Sequence, residues 1–146
     1  MVLLPEGRAI NHPEMIKMIK VLANAIQGKN FFVVSIKLDD DTELMIKTCD
    51  TEEEAIEVSE LCTDTINQAI SKQGMTILVR LVVGYSVHPN MVKHMYIENK
   101  MVLNQRKWIV QIKLNDNTIH PIAFLDSKES AMTCVEECVR KINSGK

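Results

Sequence analysis

Four cysteines, four histidines and a run of three aspartates are the residues of this 146-residue chain equipped to hold a metal or attack a substrate. Their spacing decides between those uses and a structural one. A structural zinc needs four ligands within reach, usually drawn from Cys-x2-Cys or His-x3-His pairs. Cys49, Cys62, Cys134 and Cys138 form no such pair, and Cys134 and Cys138 stand four apart on one side of a helix. They read as reduced structural thiols rather than as ligands or a disulfide framework. His12 and His88 each precede a helix-starting proline, where a cap or a packed ring is the default. His94 and His120 have no cysteine at a spacing that specifies a catalytic pair. A nucleophile elbow, P-loop, GxGxxG, HExxH or paired-carboxylate constellation is missing. The expectation is a protein with no catalytic residue, no metal and no cofactor.

The aspartate run Asp39-Asp40-Asp41 can be a cation-binding triple or a tight turn, since Asp and Asn tolerate left-handed backbone angles. A second segment, Asn115-Asp116-Asn117, lies between similar strands and has lost two of the three charges. What the two segments share is the turn, so the turn reading is preferred.

Basic residues suggest a different chemistry. Lys37, Lys47 and Lys113 share the sheet face turned away from the helices, interleaved with Val33, Met45, Cys49, Ile109, Ala123 and Leu125. A half-apolar open face of this kind is a candidate association surface, for a second copy, a partner protein or a small ligand, the alternative being a face covered within the chain. Arg80, Arg106 and His94, with Lys37 and Lys113, can instead meet an anionic group in a groove between two halves of the chain. Four arginines, six aromatics and a net charge of -2 are too little for a nucleic-acid footprint. Two functions follow. The first is a non-catalytic interaction or inhibitory accessory module, the size and lack of motifs suiting a viral or mobile-element protein. The second is a small-ligand or nucleotide-binding protein that sequesters an anionic compound.

The elements that must position these residues come twice. Shifting the chain by 76 places residues 12–67 on 88–143 without a gap, and 18 of the 56 pairs are identical, where unrelated sequences would give about three or four. His12-Pro13-x-Met15-x-Lys17 falls on His88-Pro89-x-Met91-x-Lys93, and Val34-x-Ile36-Lys37-Leu38 on Val110-x-Ile112-Lys113-Leu114. Each unit reads as strand, helix, hairpin, helix. The opening strands are Met1 to Leu4 and Thr76 to Val83. Met15, Met18, Ile19, Leu22 and Ile26 recur at helical spacing, with Gly28 as a stop, which predicts a helix after Pro13. Alternation through Phe32, Val34, Ile36 and Leu38, and through Trp108, Val110, Ile112 and Leu114, predicts the hairpins. Pro121 should sit on an edge strand or a bulge. Asp50-x-x-Glu53 and Asp126-x-x-Glu129 have capping-box spacing and open the last helices. In the second unit His94 and Glu98 form either an i,i+4 pair on a helix or the start of a short hairpin around Glu98-Asn99-Lys100.

The fold expected is α+β, a tandem duplication of a β-α-β-β-α unit. It has a mainly antiparallel sheet of about six strands, helices on one face and pseudo-twofold symmetry. A ferredoxin-like packing, with Thr76 to Val83 completing the first unit, fits the same element order. Residues 1–74 and 75–146 are the two units of one compact domain. They carry 7 Lys/Arg against 13 Asp/Glu and 10 against 6, so the halves hold -6 and +4 and sum to -2. Opposite signs favour docking of the halves or head-to-tail contact between chains, and a homo-oligomer is expected. With 46% apolar residues and no apolar run near 18 residues, a cytoplasmic, membrane-free protein is expected.

Overall fold

The computed structural model describes residues 2–72 and 77–144, and the fold is α+β. Two short strands, β1 (Val2–Leu3) and β2 (Ala9–Ile10), pair with each other. A 3-10 turn at Pro13–Met15 leads into β3 (Ile16–Ile26), β4 (Lys29–Leu38), β5 (Glu43–Cys49) and the helix α1 (Glu52–Lys72). A hairpin, β6 (Val79–Val82) and β7 (Tyr85–Val87), and a 3-10 turn at Pro89–Met91 come next. They are followed by β8 (Val92–Val102), β9 (Gln105–Leu114), β10 (Ile119–Leu125) and α2 (Lys128–Ser144). All strand pairs are antiparallel, in sheets ordered β1-β2, β5-β4-β3-β7-β6 and β10-β9-β8. Among the described residues, three sheets and two α-helices replace the single sheet and four helices expected. No helix of the described residues is long and apolar enough to cross a membrane.

The expected helix after Pro13 is the strand β3, and its counterpart β8 is likewise a strand. The stripe that suggested a helix is no single face: Ile19 enters the core under α1, Met18 the second core, and Leu22 and Ile26 are exposed, while a β-bulge between Ile16 and Met18 adds a further apolar spacing of three. An extra residue in a strand shifts its inward-facing set by one. Ile16 and Ile19, three apart, therefore both enter the core under α1. A three-residue spacing made by a bulge is indistinguishable in sequence from one made by a helical turn. Gly28 ends no helix; with Gln27 (φ 52°) and its own φ of 78° it forms the tight turn between β3 and β4. In β8 both readings of residues 94–105 give way to a strand that continues to Val102, with the turn at Leu103 and Asn104.

Two cores result. One lies under α1, where Ala55, Cys62 and Ile66 meet Ile16, Ile19, Val34 and Ile36. In the other, Ala131 and Cys138 of α2 share a cluster with Val110, Ile112, Leu114 and Ile122, and also with Met18, Leu81 and Val87 of the five-stranded sheet. The hairpin β6-β7 lies beyond α1 in sequence, yet it extends the sheet of β3. Both helices begin one residue later than the capping-box reading: Thr51 Oγ1 accepts the Glu54 amide at 3.2 Å, and Ser127 Oγ accepts that of Ser130 at 3.1 Å. Pro121 sits on the edge strand β10 beside a bulge.

Strand bounds and irregularities recur 76 residues apart. β3, β4 and β5 become β8, β9 and β10; Ile16↔Leu38 becomes Val92↔Leu114; and the bulge after Val34↔Lys47 becomes the one after Val110↔Ala123. The opening hairpins obey a different offset. Val2↔Ile10 and Leu3↔Ala9 match Val79↔Val87 and Arg80↔Ser86 at 77, so one extra residue separates β2 from the turn at Pro13.

Candidate functional site

Three lysines that strand alternation would leave in solvent are buried. Lys17 and Lys37 are 3% and 5% exposed, and Lys20 is buried beside them on β3. The partner of Lys17 and Lys37 is Asp116, carried in by the β9-β10 turn. Its Oδ2 lies 2.9 Å from Lys17 Nζ and 3.5 Å from Lys37 Nζ, while Asp41 approaches both at 3.5 and 3.7 Å. Lys20 donates to Glu43 at 2.7 Å. Burial alone would raise the Asp116 carboxyl, but hydrogen bonds from Thr118 and Lys17 hold it well below the usual range. Burial likewise opposes the Lys17 charge, and Asp116 outweighs it, so the ammonium titrates above its ordinary value. Asp40 instead binds the Thr42 amide of its own turn. The aspartate run thus serves the turn and the ion pairs together.

His120 completes this layer. Burial, then the charges of Lys20 and Lys37, pushes its pKa down to about 4, so the ring is neutral near pH 7. Its Nε2 lies 3.0 Å from Thr118 Oγ1, a hydroxyl that donates to Asp116 Oδ1 at 2.6 Å. The ring nitrogen must then donate to the hydroxyl, so the pair is wired as structure and not as nucleophile and base.

The same face of the second half is open at His94, Ile119, Pro121 and Phe124, while Ile109 and Gln111 at its centre are buried. On β8, β9 and β10 the side turned away from α2 forms three rows: His94, Lys113 and Ile119; Tyr96, Gln111 and Pro121; Glu98, Ile109 and Phe124. Tyr96, Glu98, Gln111 and Phe124 border a shallow cleft of about 470 Å³. Gln111 bonds Glu98, and the rings of His94 and Tyr96 are 5.3 Å apart. Phe124 is 54% exposed and Ile119 is exposed beside it. Ala123 and Leu125, expected on this face, are turned by the β10 bulge toward α2.

Of the six basic residues singled out in the sequence, His94 and Lys113 are brought together as cross-strand partners. Lys37 belongs to the buried layer. Lys47, expected on the face away from the helices, is turned by the β5 bulge to the α1 side with Val34 and pairs with Glu54 at 3.3 Å; Arg80 binds Asp64 at 2.7 Å and the Glu60 carbonyl at 3.1 Å, and Arg106 lies near the far tip of the β8-β9 hairpin. The sequence reading missed Tyr96, Gln111, Ile119 and Phe124. Alternation along residues 94, 96 and 98 marks the β8 members, but the i,i+4 spacing of His94 and Glu98 fits a helix as well.

Burial pushes the Cys62 thiol up to about 11 and that of Cys138 up to about 12, Cys138 also being raised by Cys134. A thiol reagent at neutral pH should therefore modify them only as fast as the chain unfolds. Stopped labelling resolved by mass spectrometry checks this, and rapid native labelling of Cys62 would contradict it.

A second cleft, about 650 Å³, lies between the halves. Val21, Phe32, Ile56, Tyr85, Ile122 and Phe124 line it, and the charge at its wall is Glu52. None of the six basic residues borders it. Comparison with protein-family models, with characterised proteins and with solved structures gives no match.

Proposed function

We propose that the chain is a non-catalytic interaction module that docks a partner protein on the outer face of β8, β9 and β10. In this reading it consists of two copies of one unit, residues 1–74 and 75–146, in approximate twofold relation, and works inside the cell with its thiols reduced. The observation that carries it is the unequal fate of two matching faces. Lys37 and Lys113 stand in the same Val-x-Ile-Lys-Leu segment. The face of Lys37 is covered and its charge met by Asp116, while that of Lys113 is open, with Ile119 and Phe124 exposed beside it. A cover for the second face should resemble the cover of the first: apolar side chains at the centre and a carboxylate opposite Lys113. An acidic-rimmed apolar partner meets both demands.

Ile119→Glu with Phe124→Glu should lower the melting temperature only modestly, because each side chain is already about half exposed. Affinity for a partner recovered by cross-linking and then purified should fall about 100-fold, the scale of a lost central anchor pair. Titration calorimetry with wild type and variant decides this, and equal affinities would remove the face from consideration.

A ligand-binding reading rests on the larger cleft, and its chemistry is the reverse of the anionic ligand expected. Apolar walls and Glu52 favour an amphipathic amine. In a thermal-shift series such an amine should raise the melting temperature while nucleotides leave it unchanged; a shift with nucleotides alone would exclude this cleft.

A further inference from the structure

β8 runs for 11 residues at the end of its sheet, and no other strand pairs with its outer edge among the described residues. β2 has the same character, with β1 on one side and no strand on the other. Unpaired edges of this kind are where another strand adds.

The chain already contains a strand seated on an equivalent edge. β7 lies along β3 with Met18↔Val87, Ile19↔Ser86 and Lys20↔Tyr85, continued by the His88 amide donating to the Lys17 carbonyl at 2.8 Å. β3 corresponds to β8 at an offset of 76, and β7 corresponds to β2 at 77. Carrying the pairing across both offsets sets His94 against Ile10, Met95 against Ala9 and Tyr96 against Arg8. Backbone direction agrees. The Arg8 carbonyl accepts from the Leu4 amide at 2.7 Å and so faces β1, and alternation turns the Ala9 amide to the open side.

We infer that the occupant of the β8 edge is β2 of a second copy of this chain. Charge supports that choice, since residues 1–74, at -6, would approach residues 75–146 of the other copy, at +4. Each chain offers one β2 and one β8, so two reciprocal contacts close a twofold dimer. The inference rests on the two-copy reading of the chain and is independent of the outer face, because it uses an edge.

Two chains carrying Ala9→Cys and Met95→Cys separately, each with the half-buried Cys134 changed to Ser, are mixed and gently oxidised. The expected product is a disulfide joining one of each, which cannot form within a chain. Sedimentation of the wild type should show a dimer, and Ala9→Pro, which removes the outward amide while sparing the β1 pairing, should raise its dissociation constant about tenfold or more. Ile119→Glu with Phe124→Glu should leave the dimer intact, which separates this contact from the docking face. A wild type that stays monomeric at millimolar concentration would overturn the inference. So would a dimer indifferent to Ala9→Pro, or cross-links confined to pairs of Met95→Cys chains, which would place β8 on β8.

Discussion

Asp116→Ala should cost about 3–5 kcal/mol of folding free energy, because it leaves two buried ammonium groups without their main counterion. Lys17 and Lys37 retain Asp41, but that carboxylate is 62% exposed and lies 3.5 and 3.7 Å away. Asp41→Ala, which removes the solvated member, should cost less than about 1 kcal/mol. The contrast can be read from urea midpoints at constant slope. Lys17→Met added to Asp116→Ala should recover part of the loss, since an apolar chain needs no counterion. Equal costs for the two aspartates would mean that the buried lysines reach water by moving. The same layer explains why Lys37→Glu belongs to stability and not to surface association: it would set a third carboxylate beside Asp41 and Asp116.

Acid should weaken the fold in two steps, the first due mainly to His120, with a smaller part from His88, whose ring burial also holds below its ordinary value. The folded pKa of His120, about 4, lies below the ordinary 6.5, so the unfolded chain takes up the proton first. The stability held by the neutral ring is complete above pH 6.5 and is lost as pH falls from 6.5 toward 4, on the order of 3 kcal/mol. Asp116 and Glu43, both held below their ordinary values, then bind protons first in the unfolded chain. Their contribution is present above the usual carboxylate range and is lost beneath it. Urea unfolding between pH 7 and 4 should show the first slope, and His120→Gln, whose amide can still donate to Thr118, should flatten it. A His120→Gln protein with an unchanged slope would assign the loss to other groups.

Some of this protein was determined by neighbouring residues alone. The turns at Asp39–Asp41 and Asn115–Asn117 follow from side chains that bond their own backbone, as Asp40 and Asp116 do with the amides of Thr42 and Thr118. Pro121 is tolerated because it stands on an edge strand at a bulge, one that recurs beside Met45 without a proline, and the two long helices follow from short capping side chains followed by a periodic apolar face. These are effects within a few residues, which a linear pattern records.

The tertiary structure decided the rest. Whether residues 16–26 became helix or strand depended on β4 and β7 lying alongside, because the apolar spacing of Met18, Leu22 and Ile26 suits a helix while the paired strand leaves Leu22 and Ile26 exposed. The split between Lys37 and Lys113 is the clearest case. Both occupy Val-x-Ile-Lys-Leu followed by the same kind of turn, yet one is 5% exposed among carboxylates and the other stands on an open face. Nothing within that segment distinguishes them. The difference arises because Asp116 and His120, some 80 residues further along the chain, bring their charge and bulk to the first face and leave the second uncovered.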